Sequence, residues 1–103
     1  MNLITNKNNF EETILKSKTP VLVDFYADWC TPCKMMSPII EEVSNEFKGK
    51  ITVLKINIDE CPDIAQKYSV MSIPTIILFK NGEATKTSVG VTSKEKLVEM
   101  IQA

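Results

Sequence analysis

Cys30 and Cys33 are the residues of this chain best suited to chemistry, and the two between them, Thr31 and Pro32, set how the pair behaves. They stand where an apolar run, Pro20 to Ala27, gives way to apolar residues at helical spacing, Met35 to Phe47. The first run reads as a buried strand and the second as an amphipathic helix. Both cysteines therefore fall at a strand-to-helix junction. Side chains three apart on a helix are neighbours, with Cβ atoms about 5–6 Å apart, and a disulfide requires about 3.5–4.5 Å. A small local adjustment closes that gap, so the bridge can form and break without refolding.

The junction also favours the reactive form of the sulfur. The thiolate is the nucleophile, and the first turn of a helix offers unpaired N–H groups and the positive end of the macrodipole. Cys30 at that terminus should have its pKa drawn down, with Lys34 adding a nearby positive charge. Pro32 suits the first helical turn, where its missing N–H costs nothing, and it stiffens the loop. Cys33 lies further into the helix and should be less exposed. Cys30 is thus expected to be an exposed attacking nucleophile and Cys33 the resolving thiol. The competing reading is half of a zinc site. A tetrahedral structural site needs four ligands, usually Cys or His, and this chain has three cysteines and no histidine.

The elements that must position this pair can be read along the chain. At 103 residues it is expected to form one domain, residues 1–103, large enough for a core. Hydrophobic residues make up 44% and charged ones 24%, ordinary for a globular protein. The net charge of −1 and the lack of a basic stripe argue against nucleic acid. No apolar stretch approaches a membrane span, and the first residues lack a signal-peptide hydrophobic region. The expected setting is a reducing cytoplasm, where a CxxC pair is catalytic more often than structural.

Leu3-Ile4-Thr5 reads as a short strand. Asn6 or Asn8 can cap a helix to about Leu15. Pro20 to Ala27 is too apolar for a wet face, so its sheet should be covered on both sides. The next helix carries the stripe Met36, Ile39, Ile40, Val43 and Phe47, with Pro38 expected to kink it and Gly49 just past its end. Ile51 to Ile58 is a strand, and Pro62 opens a short helix. Pro74 leads into the strand Thr75 to Phe79. Asn81-Gly82 signals a hairpin to a polar edge strand, Glu83 to Val89, which Gly90 ends. Thr92 with Glu95 gives a capping-box pattern for the last helix. The resulting fold class is α/β, a mixed five-stranded sheet with four helices on both faces.

Three residues are open to two readings each. Asp24 sits inside an apolar strand, where burial should raise its pKa. It is either a hydrogen-bonded structural carboxylate or a proton acceptor for Cys33. Lys55 either snorkels to the surface or partners Asp24 from the adjacent strand. Cys61 is a helix-cap thiol or a secondary redox site.

With these residues in place, the sequence resembles the thioredoxin family over essentially its whole length. The match is carried by Val23-Asp24-Phe25, Trp29-Cys30 through Lys34, Pro38, Lys55, Ile73-Pro74-Thr75, Phe79-Lys80-Asn81-Gly82 and Val89-Gly90. The resemblance implies a thioredoxin fold with Pro74 in cis, facing the cysteines. It implies reversible dithiol–disulfide exchange with client proteins through a redox-active Cys30–Cys33 disulfide, no bound cofactor, recharging by a thioredoxin reductase, and a monomer. It further implies that Asp24 and Lys55 form a buried proton relay, and that Trp29, Thr31, Pro32, Ser72, Ile73, Pro74, Gly90 and Val91 line the substrate groove. Departures are Thr31 where the family usually has Gly, Ser72 and Val91 where Gly and Ala are common, and Tyr26 for a common Trp. Thr31 bears on the reduction potential, since its β-branch stiffens the loop and its hydroxyl could reach a sulfur. Ser72 and Val91 bear on partner preference, and Tyr26 is expected to matter little to the chemistry.

Two other functions compete with a disulfide reductase. Oxidases and isomerases of this family usually carry a His between the cysteines and are exported, unlike Thr31-Pro32 here. A binding module is the other class, and activity surviving loss of both cysteines would identify it.

Overall fold

The computed structural model describes residues 2–4 and 7–102. The order is β1 (Asn2–Ile4), α1 (Lys7–Lys16), β2 (Val21–Tyr26), α2 (Thr31–Glu46), β3 (Thr52–Asn57), α3 (Pro62–Lys67), β4 (Thr75–Lys80), β5 (Glu83–Val89) and α4 (Lys94–Gln102). The strands lie in the order β1-β3-β2-β4-β5. Four strands of six or seven residues form the body of the sheet, and the three-residue β1 adds beside β3. Pairings β1–β3 and β2–β3 are parallel; β2–β4 and β4–β5 are antiparallel.

Alternation along the strands separates two cores. Val21, Val23 and Phe25 of β2 point to one face, where they meet Leu54, Ile56, Ile77 and Phe79, then Phe10 and Ile14 of α1 and Ile64 of α3. Phe10, Phe79 and Tyr68 form an edge-to-face trio there, with centroids 5.2–5.7 Å apart. Leu22 points the other way, into Val53, Ile76 and Leu78, Met36, Ile40 and Val43 of α2, and Leu97 and Ile101 of α4. Residues of one strand that face opposite sides are thus both buried, which is why β2 reads as a continuous apolar run. Asp24 shares the α2 side with Leu22.

Local chemistry explains the joints. The hairpin turn puts Asn81 at φ 55° and Gly82 at φ 80°, both in the region that Asn and Gly tolerate best. The strand it returns, β5, is largely exposed and lies at the sheet edge, as its polarity indicates. Helix α2 continues through Pro38 to Glu46 and is capped by Phe47. Gly49, at φ 85°, therefore lies two residues past the cap.

Some expectations about helix ends need correction. The cap of α4 is Ser93, whose Oγ accepts from the Lys96 N–H at 3.2 Å; the expected Thr92–Glu95 box does not form. Thr92 instead turns its N–H toward Met36 Sδ, 3.3 Å away, which ties the start of α4 to α2 and leaves the next residue free to cap. Asn8 falls inside α1 and so cannot cap it, while Asn6 and Thr5 lie outside the described residues. Among the described residues, no helix is long and apolar enough to cross a membrane.

Candidate active site

The polypeptide leaves β2 at Tyr26, turns through Ala27–Trp29 and enters α2 at Thr31. Cys30 is the N-cap of that helix, with extended backbone at φ −91° and ψ 106°. Its sulfur takes the place of the usual capping oxygen: the Cys33 N–H donates to Cys30 Sγ at 3.2 Å. Pro32 occupies the first turn, where no intrahelical donor is required. Cys30 and Cys33 are joined in a disulfide with Cα atoms 5.2 Å apart. The helix start thus aims both a backbone donor and its dipole at Cys30, a setting that favours negative charge there once the bond is reduced.

The expected exposure of Cys30 is not found. Cys30 is 4% and Cys33 5% exposed. The cause is the segment before β4. Ile73 and Ile58 close over Ala27, Cys30 and Cys33, and the Ile73 carbonyl oxygen lies 3.8 Å from Cys30 Sγ. The Ile73–Pro74 bond is cis, as the resemblance implies. Gly90, at φ 88°, donates its N–H to the Pro74 carbonyl at 2.8 Å. That bond sets Val91, half exposed, beside the same segment. Trp29, Thr31, Pro32 and Ser72 are exposed around it, while Pro74 is buried. Among the described residues, Thr31 Oγ1 bonds neither sulfur.

Asp59 is a site residue that sequence reasoning missed. Its Oδ2 accepts from Trp29 Nε1 at 2.9 Å, which anchors an indole that is otherwise 68% exposed. Its own N–H donates to Oδ1 of Asn57 at 2.9 Å, and Asn57 is buried. Trp29 and Asp59 are thirty residues apart, and no local pattern links them. The only signal was an unassigned carboxylate in the loop leaving β3.

Asp24 is 2% exposed, and its Oδ1 has no hydrogen-bond partner. Desolvation pushes its pKa up to about 6, against a weaker pull from Lys55. Lys55 is paired with Asp24 in the β2–β3 register, yet the two form no ion pair within 4.0 Å. The Lys55 ammonium lies instead over the Tyr26 ring, 4.4 Å from its centroid. A cleft of about 140 Å³ opens beside it, lined by Tyr26, Ala27, Asp28, Cys33, Lys34, Ser37 and Lys55. Cys33 and Lys55 therefore share the walls of this cleft, and Asp24 lies beneath, in register with Lys55.

Cys61 is separate from this constellation. It is the N-cap of α3 but makes no side-chain cap bond, and it is buried in the core beneath α1 and α3. Burial, then Asp63 and Glu60, push its thiol pKa up. These environments rank the thiols. In the reduced protein at neutral pH, brief alkylation is expected to modify Cys30 at least about tenfold faster than Cys33 or Cys61, because thiolate fraction governs the rate. Peptide mapping reads the order, and earlier modification of Cys61 would reverse the assignment.

A family model described as Thioredoxin matches residues 1–103. The chain is 56% identical over 98 residues to a thioredoxin of Rickettsia bellii, covering 95% of this chain and 92% of that protein. It is 45% identical over 97 residues to a chloroplastic M-type thioredoxin of Spinacia oleracea, covering 94% of this chain and 54% of that one. A solved Plasmodium falciparum thioredoxin superposes with a TM-score of 0.91 at 31% identity, over 99% of this chain and 97% of the other.

Proposed function

The chain belongs to the thioredoxin family, and from that premise we propose how its site divides the work: Cys30 attacks, Cys33 resolves and Asp24 takes the resolving thiol's proton. The chain is a thiol–disulfide oxidoreductase acting by dithiol–disulfide exchange. The observation that carries this is the Cys30–Cys33 disulfide at the N-terminus of α2.

Exchange runs in two displacements. The Cys30 thiolate attacks one sulfur of a client disulfide; a Cys30–client disulfide forms and the other client sulfur leaves as a thiolate. Cys33 then gives up its proton, which Asp24 accepts, and attacks Cys30 Sγ. The Cys30–Cys33 bond forms and the second client thiolate departs. The client gains two electrons and the protein loses two. A thioredoxin reductase supplies them back to the Cys30–Cys33 disulfide.

The client lies along Trp29, Thr31, Pro32, Ser72, Ile73, Pro74, Gly90 and Val91. Support comes from exposed apolar surface at Trp29 and Val91 around the otherwise covered sulfurs. The Ile73 carbonyl beside Cys30 is placed to accept a backbone N–H of an extended client. Lys55 modulates Asp24. The protein works as a single-domain monomer in the cytoplasm, without a bound cofactor.

Stoichiometric reduction tests this reading. Reduced protein mixed with a disulfide-bonded substrate, without reductase, should open one substrate disulfide for each Cys30–Cys33 bond formed. Cys30→Ser should bring the rate to background. No disulfide opened by the reduced parent protein, with cellular activity surviving loss of both cysteines, would refute the reading in favour of a binding module.

A further inference from the structure

Tyr26 was expected to be a passive replacement, but it is the residue on which the Lys55 ammonium rests. The stem of Lys55 rises from the β3 position in register with Asp24. A lysine so placed could turn its charge onto the neighbouring carboxylate. Instead the side chain runs on to Tyr26, two residues further along β2 on the same face. A cation over an aromatic face is attracted by the ring quadrupole, and more strongly where partly desolvated; Lys55 is half-buried. We propose that Tyr26 is a positioning residue for the exchange reaction, its ring holding the Lys55 ammonium off the Asp24 carboxylate.

The consequence lies in the strength of Asp24 as a base. A close ion pair stabilises the carboxylate and weakens it as a proton acceptor, whereas a base works best when poised near the operating pH. Other groups around the carboxyl do not substitute for the ring. Ile76 of β4, its partner across the antiparallel pairing, is apolar. Among the described residues, Lys55 from β3 is the one charge with a resolved effect on Asp24. Cys33 and Lys34 of α2 line the cleft, as does Asp28. Asp28, Glu60 and Asp24 all act on Tyr26 itself, so an ammonium released from the ring has three acids within its field. The proposal requires that Asp24, the register partner, capture most of it.

The catalytic value of this arrangement rests on the reading of Asp24 as proton acceptor; the positioning itself does not, and can be measured alone. The Asp24 carboxyl carbon is followed by 13C NMR through a pH titration of the oxidised protein. Tyr26→Leu, which removes the ring, is expected to lower the Asp24 midpoint by roughly one pH unit, the size of effect a nearby opposite charge produces. Tyr26→Phe, which keeps the ring, should leave it in place. In a Lys55→Met background Tyr26→Leu should no longer move it. An unchanged or raised midpoint in Tyr26→Leu overturns the proposal. So does an equal fall with and without Lys55, which would mean water entering the cleft, or a fall in Tyr26→Phe, which would implicate the hydroxyl. If Tyr26→Leu does not fold, the parent protein decides: the Lys55 ε-methylene protons should show an upfield ring-current shift, and ordinary positions refute the contact. If the midpoint moves as expected but the pH profile of the resolving step does not follow it, the positioning stands and the role of Asp24 falls.

Discussion

Cys33→Ser is expected to accumulate covalent adducts with client proteins, visible on non-reducing gels and dissolved by dithiothreitol. The variant retains Cys30, so it still attacks a client disulfide and forms the mixed disulfide. It loses the second displacement, because a serine hydroxyl is not a competent nucleophile toward a disulfide sulfur at neutral pH. In the parent that displacement is intramolecular. Cys33 is held within bonding distance of Cys30 by the first turn of α2, and well-oriented groups reach effective molarities of about 10⁵ M or more. No external thiol competes with that, so the intermediate's lifetime should lengthen by roughly 10³-fold or more when Cys33 is lost. Cys30→Ser should trap few clients or none. The sulfur left in that variant lies inside the helix, without the capping N–H that Cys30 Sγ accepts. Cys61→Ser should behave like the parent, since Cys61 is buried in the core on the α1 and α3 side. Equal trapping by Cys30→Ser and Cys33→Ser would mean that the two roles are exchanged or that Cys61 attacks.

The readable parts of this molecule were those where one local rule dominates. The unbroken apolar run around Val21, Leu22, Val23 and Phe25 gave β2 as a strand buried on both faces. Asn81-Gly82 gave the hairpin because few residue pairs accept two positive φ angles. The CxxC at a strand-to-helix junction gave the reacting pair, and the buried carboxyl of Asp24 was visible as a charge inside an apolar run. What could not be read depended on contacts between distant segments. Burial of Cys30 is decided by Ile73 and Ile58, which no spacing around the motif reveals. The Trp29–Asp59 bond joins two loops, and the direction taken by Lys55 depends on which neighbour on β2 wins its charge. Among the helix caps, Ser93 displaced Thr92 because the Thr92 backbone is engaged with Met36 on α2, a tertiary constraint absent from any capping pattern.

Asp24→Asn is expected to stabilise the protein at neutral pH while slowing the resolving step. In the unfolded chain this carboxyl titrates near 3.8, and in the folded protein burial raises it to about 6. Well below pH 3.8 it is protonated in both states, and burial carries no charge penalty. As pH rises from there, the unfolded carboxyl ionises while the folded one holds its proton, so the native state loses stability progressively. Above about pH 6 the penalty is constant. At about 1.4 kcal/mol per pH unit, it amounts to about 3 kcal/mol. Asparagine keeps the shape and removes the charge, though it still buries a polar group, so a net gain of about 1–3 kcal/mol is expected at pH 7.5. The gain should shrink toward zero by pH 3.5. Urea unfolding of both proteins at the two pH values measures this, and an equal gain at both would show that no titrating carboxyl lies behind it. The kinetic effect has the opposite sign. An ionised Asp24 accepts the Cys33 proton, so the parent's resolving step should accelerate as pH rises through about 6. The variant should lose that rise and run about tenfold slower or worse at pH 7.5, within the range general-base groups contribute. Initial attack by Cys30 should change far less, since Asp24 serves the other sulfur. Single-turnover kinetics separates the two steps, and a resolving step that keeps its parental pH profile would reduce Asp24 to a structural residue.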